Sequence, residues 1–166
     1  MPGQRVGRFD LHDAPPVLYL ADAREHAIAE ALSGFRGTDF RESYLRRERR
    51  PLALVPVTLA ASLVARIPDC TDPRVLVTLG LRPDQLAHHD RTLTQSVARE
   101  LHSRATRDEG PAGLRWWSAL TGAWHTTVVF TDQEREGEVK FGEPDVIRRS
   151  DSALLAALAV LGIRVR

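Results

Sequence analysis

Arg8, Tyr19 and Glu30 are three polar residues near the start of the chain that packing alone does not require. Arg8 lies in a glycine-led loop, Gly7-Arg8-Phe9-Asp10, and Tyr19 interrupts the aliphatic run Val17-Leu18-Tyr19-Leu20-Ala21. Glu30 lies well inside the helix expected next. A planar guanidinium offers a fork of donors that matches phosphate oxygens. The face of a phenol ring attracts a cationic ring. A carboxylate stabilises positive charge that develops beside it. Brought together, these three groups suit a ligand with anionic phosphates at one end and a cationic ring at the other.

The elements that must position them are readable in outline. Residues 16–21 read as a short buried strand after Pro15-Pro16. Asp22 is expected to cap the next helix, with Glu25 completing a capping box, and the helix should stop at Gly34. Ala23, Ala27, Ala31, Ile28 and Leu32 form its apolar face, and Glu30 falls at the edge of that face beside Ala23 and Ala27. Residues 36–50 are strongly charged and read as a solvated loop or helix face. Two strands are expected within 51–67. Asp72-Pro73 opens a short helix that ends near Gly80. Asp90 or Thr92 starts a helix through Arg104, with Leu93, Val97 and Leu101 inside. Gly113–Trp117 and Thr126–Phe130 read as strands, 131–145 as a turn-rich connection, and Ser150 or Asp151 as the cap of a helix through Leu161. Ile163-Arg164-Val165 reads as a final strand. Strands mixed irregularly with helices give an α+β fold.

Composition narrows the function classes. The chain has 166 residues, enough for one domain with a single core. It is 43% hydrophobic and 27% charged, with net charge +1, so no overall field draws it to nucleic acid or to acidic membranes. Lys140 is the only lysine, so the basic side chains are almost all guanidinium forks. Cys70 is the only cysteine, which excludes an internal disulfide and a cysteine-based zinc site. No apolar signal core or long apolar run is present, so a cytoplasmic, non-membrane protein is expected.

Rival motifs are weaker. His88-His89-Asp90 does not place its side chains together, and further metal ligands are not evident, so no metal is expected. No Walker loop and no GxGxxG is present, which leaves a Rossmann mode of dinucleotide binding without support. Alternation puts Trp116 and Trp117 on opposite faces, one in the core and the other free to wall a pocket or meet a partner. Singly, Arg8, Tyr19, Glu30 and Ser118 each have an ordinary structural explanation.

The order and spacing of these pieces resemble the RES-domain family. The resemblance is carried by Gly7-Arg8-Phe9-Asp10, Val17-Leu18-Tyr19-Leu20-Ala21 and Ala27-Ile28-Ala29-Glu30. It continues through Cys70-Thr71-Asp72-Pro73, Leu79-Gly80-Leu81, Thr94-Gln95, Gly113-Leu114-Arg115-Trp116-Trp117-Ser118 and Val128-Val129-Phe130. It is strongest over 7–131 and makes 1–166 a single RES domain. Such a resemblance implies a mixed-sheet core flanked by helices, related to ADP-ribosyltransferase toxins. It also implies a toxin that consumes NAD as substrate by phosphorolysis or hydrolysis, or that transfers ADP-ribose to a protein. An Xre-type helix-turn-helix antitoxin is the implied partner, with inorganic phosphate a possible co-substrate and a homo-oligomer a possible assembly. The family's arginine, tyrosine, glutamate and serine match Arg8, Tyr19, Glu30 and Ser118 here. Arg8 would bind the pyrophosphate, Tyr19 stack on nicotinamide, Glu30 serve the ribose, and Ser118 hydrogen-bond the substrate. His12 is added as a residue able to line the same cleft. Many members have asparagine where this chain has Asp10, and another where it has His125 or Thr126. Only six residues precede Gly7, so an N-terminal family segment is expected to be missing. Two other readings are an inactive member that binds a partner chain and a nucleic-acid binder acting through the arginines of 36–50.

Overall fold

A computed structural model describes residues 7–11, 16–88, 90–105, 110–133 and 136–165. In chain order the first elements are β1 (Val17–Ala21), α1 (Arg24–Leu32), the 3-10 turns Ser33–Phe35 and Glu42–Leu45, β2 (Arg46–Arg47) and β3 (Arg50–Pro51). Then come β4 (Ala53–Leu54), β5 (Val57–Leu59), α2 (Ala61–Val64), α3 (Pro73–Leu79), α4 (Pro83–Ala87) and α5 (Arg91–Arg104). The chain continues with β6 (Gly113–Trp117), β7 (His125–Phe130), a 3-10 turn at Thr131–Gln133, β8 (Val139–Phe141), β9 (Asp145–Val146) and α6 (Ser152–Leu161). The fold is α+β, as the mixture of patterns predicts.

The central sheet is antiparallel in the order β1-β7-β6. Its two faces are buried differently. Val17, Leu114, Trp116, Val128 and Phe130 face α3, α4 and α5, where Leu76, Leu86, Val97, Ala98 and Leu101 complete one core. Leu18, Leu20 and Val129 face the other way, onto Leu63, Ala112 and Leu59. A separate apolar layer joins α1 to α6 through Ile28, Leu32, Leu154, Leu158 and Leu161. Cys70 is buried in the first core, and burial, with Asp69 adding to it, pushes its thiol up to about 12. It is a packing residue, not a nucleophile.

Several local signals act as read. Asp72 accepts from the Arg74 amide at 2.8 Å, Pro73 opens α3, and Gly80 ends it at φ 68°. Asp151 caps α6 and Gly162 closes it at φ 63°.

Other expectations are corrected. Asp22 does not cap α1; Ala23 holds that position without a side-chain hydrogen bond. The Asp22 carboxylate is drawn off by His26 and His125, and the helix continues past Leu32 as a 3-10 turn through Gly34. Leu93 is largely exposed; the buried stripe of α5 is Thr94, Gln95, Val97, Ala98 and Leu101, because the face towards the sheet lies one residue further round. The connection 131–145 contains β8, which pairs with β5. Ile163–Val165 makes only an isolated bridge, Arg164 to Asp39. The charged stretch holds a hairpin, β2 to β3, whose turn residues Glu48 and Arg49 have positive φ, as a tight hairpin demands.

Gly113 lies opposite Val129 in the sheet, and a Cβ there would overlap the Val128 carbonyl oxygen. That atom belongs to the strand itself, so it cannot yield without disturbing the β6–β7 pairing. Gly113→Ala is expected to cost about 1–3 kcal/mol, read as a lower Tm. An unchanged Tm would show that β6 gives way freely.

Candidate active site

The Arg8 loop is built by hydrogen bonds to its own Asp10 and to β1. Asp10 accepts from the Gly7 amide at 2.8 Å. The Tyr19 hydroxyl donates to the other Asp10 oxygen at 2.7 Å and accepts from the Phe9 amide at 2.9 Å. Gln95 on α5 donates to the Gly7 carbonyl at 2.9 Å. A side chain at position 7 would collide with the Asp10 carboxylate and the Tyr19 hydroxyl, so glycine is required for the loop to close this tightly. Burial, and then the hydrogen bond to Asp10, push the Tyr19 phenol well above its ordinary value. Tyr19 therefore keeps its proton at neutral pH and anchors the loop, while its ring edges a cavity.

Arg8 is half-buried. Its guanidinium donates to the Leu86 carbonyl at the end of α4 and lies 5.6 Å from the Phe9 ring centroid. Its Nε is buried without a hydrogen-bond partner. Burial lowers its pKa, and Glu30 and Tyr19 oppose that shift. The ordinary arginine value is so high that the group stays charged. A charged guanidinium at the cavity wall, held by a neutral carbonyl, is well suited to receive an anion.

Glu30 sits on the open face of α1, two helical steps of four from Asp22. Its Oε1 accepts from the Ser118 hydroxyl at 2.8 Å and lies 3.4 Å from His26 Nε2. Ser118 follows β6 and itself accepts from the Leu120 amide at 3.1 Å. Burial alone would raise the Glu30 pKa. The contacts to His26 and Ser118, with the charge of Arg8, outweigh burial and hold it below the usual carboxylate range. Glu30 is thus an anion at neutral pH, with no hydrogen bond to Oε2 among the described residues.

These groups surround one cavity of about 470 Å³, whose wall includes Arg8, Tyr19, Glu30, Arg91, Trp117 and Thr126. A longer groove of about 700 Å³ shares Tyr19, Leu20, Ala21 and Ala27 with it and runs on past Leu54, Val57 and Phe141. Trp116 is core and Trp117 is the exposed member of the pair, packed on the His125 ring at 4.5 Å. Trp124 stacks on His26 at 5.1 Å.

Arg8, Tyr19 and Glu30, which sequence reasoning singled out, therefore meet at one cavity. Ser118 stands behind Glu30 and is not part of the cavity wall. His12 lies outside the described residues. Sequence reasoning missed Asp10, His26, Gln95 and Arg91 as builders of the site. One signal was available: Asp22, His26 and Glu30 recur at intervals of four, which puts them on one helix face. The arginines of the hairpin are exposed. Among the described residues no group of three His, Cys, Asp or Glu side chains could hold a metal ion, and no helix is long and apolar enough to cross a membrane.

Comparison with curated proteins gives no match, and comparison with solved structures gives none. The family model described as "RES domain" matches residues 1–147 of the 166. The matched span contains the Arg8 loop, β1, α1, the central sheet and every residue of the cavity wall. It ends just short of α6, which nonetheless packs on α1. The chain belongs to the RES-domain family.

Proposed function

We propose that this protein is an NAD-consuming enzyme that breaks the nicotinamide–ribose bond and passes the ADP-ribosyl group to phosphate, water or a protein side chain. The observation that carries the reading is the convergence of Arg8, Tyr19 and an ionised Glu30 on one cavity. Membership of the RES family, which is associated with NAD-related toxins, supports the same substrate.

Each group has a task set by its chemistry. Arg8, a charged guanidinium in the cavity wall, binds the pyrophosphate. The Tyr19 ring offers a π-face to the cationic pyridinium. The adjoining groove gives room for the second half of a dinucleotide. When the C–N bond breaks, both electrons go to the pyridinium nitrogen and nicotinamide leaves neutral. The ribosyl centre becomes an oxocarbenium-like cation, as in glycoside hydrolysis. Glu30 places a fixed negative charge beside it or holds a ribose hydroxyl on Oε2. The acceptor oxygen then forms the new bond to C1 and gives its proton to solvent water. No strong general acid is needed, because the leaving group takes no proton.

Pure protein incubated with NAD is expected to release nicotinamide. ADP-ribose as co-product identifies water as acceptor, a phosphorylated ADP-ribose identifies phosphate, and mass added to a protein identifies a side chain. No nicotinamide release under any of these conditions would sink the proposal. Glu30→Gln should keep the shape of the carboxylate without its charge and lower kcat by about 100-fold or more. Wild-type turnover in that variant would remove Glu30 from the reaction. Tyr19→Phe removes the acceptor of the Phe9 amide and one donor to Asp10, at a cost of about 1–3 kcal/mol. Faster hydrogen exchange at the Phe9 amide and a raised KM for NAD are expected. Unchanged exchange would mean that the loop is held by Gln95 and Asp10 alone.

A further inference from the structure

We propose that His26 is a positioning residue: an imidazolium clamped between Asp22 and Glu30 that fixes one oxygen of the Glu30 carboxylate and leaves the other to the substrate. The inference rests on the reading of Glu30 as the reacting carboxylate, but its structural part stands apart from that reading.

The argument begins with donors and acceptors. His26 Nδ1 lies 3.0 Å from Asp22 Oδ1, and Nε2 lies 3.4 Å from Glu30 Oε1. An ionised carboxylate only accepts, and a neutral imidazole carries one N–H. A neutral ring would satisfy one neighbour and turn a bare lone pair towards the other. Only the doubly protonated ring donates to both. The ring has no solvent exposure, and a buried charge is tolerated only when paired. Here it has a carboxylate at each end and the Trp124 indole stacked at an interplanar angle of 17° on its face.

The groups packed around the ring agree. On its own helix His26 faces Glu30. From the loop before α1 it faces Asp22, whose second oxygen accepts from the His125 amide at 3.0 Å and lies 3.1 Å from His125 Nδ1. From the turn before β7 it faces Trp124, and beyond Glu30 stands Arg8. Burial alone would lower the His26 pKa; Glu30 and Asp22 outweigh it and raise the group above its ordinary 6.5. Asp22 moves the opposite way: burial would raise it, but His26 and His125 hold it low.

The consequence is geometric. The start of β7 pins Asp22, Asp22 pins His26, and His26 with Ser118 pins Glu30 Oε1. Two contacts on Oε1 restrict the rotation of the carboxylate and favour one direction for Oε2. Because His26 is raised in the folded state, its contribution is complete below about pH 6.5 and is lost as pH rises through the raised value. Asp22 and Glu30 are depressed, so their contribution is complete above the ordinary carboxylate range and is lost as pH falls through their folded values.

Nitrogen-15 NMR of the wild-type imidazole tests the protonation without substrate or mutation. Both ring nitrogens of His26 are expected to carry protons at pH 7, and one protonated nitrogen would overturn the proposal. Carbon-13 titration of Glu30 tests the coupling: in His26→Gln its pKa should move up towards the ordinary value, and an unmoved titration would overturn it. Kinetics test the positioning: His26→Gln should lower kcat at least about tenfold, leave KM for NAD within about twofold, and abolish the alkaline fall of the wild-type kcat profile. A variant profile that superimposes on the wild type would overturn the positioning role. A wild type that releases no nicotinamide but shows the doubly protonated ring would fail the NAD reading, while the clamp on Glu30 would be upheld by the two spectroscopic results.

Discussion

Val17–Ala21 lies antiparallel to Thr126–Phe130, with Tyr19 opposite Val128, and this register builds the site. Tyr19 shares its face with Val128 and Leu114, so its hydroxyl reaches the loop that carries Arg8. The flanking Leu18 and Leu20 fill the opposite core. A slip by one residue would send the phenol into that core and bring a leucine to the Arg8 loop, exchanging both faces at once. The same pairing sets the start of β7 beside the end of β1. His125 therefore meets Asp22, and α1 leaves the sheet with Glu30 directed at the cavity. Two buried faces thus enforce a register that serves the polar residues between them.

The site that results is built of fixed charges, with few groups poised to exchange protons. The Tyr19 hydroxyl is committed to Asp10 and Phe9, and its pKa is raised. Glu30 is held below the usual carboxylate range, and His26 beside it is raised above its ordinary value. Arg8 supplies positive charge at the far side. Such an arrangement suits a reaction in which charge develops at carbon and the leaving group departs neutral. Preorganised charges stabilise such a transition state because they need not reorient as it forms.

Local chemistry was largely legible in the sequence. Asp72-Pro73, Asp151 and the glycines at 80 and 162 act within a few residues of themselves, and no distant group displaces those contacts. Glu30 does border the buried face of α1, but that face is His26, Ile28, Ala29 and Leu32, and not the alanines Ala23, Ala27 and Ala31 from which its angle was taken. Asp22 was misread for the complementary reason. A cap is a local preference worth about 1 kcal/mol, and it lost to donors that arrive from His125, more than a hundred residues away in the chain. Ser118 shows the same limit. Its position after a strand was readable, but its partner Glu30 lies 88 residues away, so the sequence could not say whether its hydroxyl meets a ligand or a carboxylate. Strand β8 was hidden in a polar, glycine-bearing segment, because a three-residue strand leaves too few alternations to see.

Asp10 and His125 follow the same logic of donors and acceptors. Asp10 receives the Gly7 amide on one oxygen and the Tyr19 hydroxyl on the other. An asparagine has a single acceptor oxygen and would point its NH2 at one of those donors. Two acceptors on Asp10 therefore fix the Tyr19 proton towards Asp10 and free the phenol lone pair for the Phe9 amide. His125 adds the converse. Its ring nitrogen and its backbone amide both reach Asp22 Oδ2, which leaves Oδ1 to His26. The carboxylate at position 22 is divided between a strand and a helix in the same way that Asp10 is divided between a loop and a strand. In both places a two-oxygen acceptor joins two elements, and the geometry of the candidate site is set at those joints.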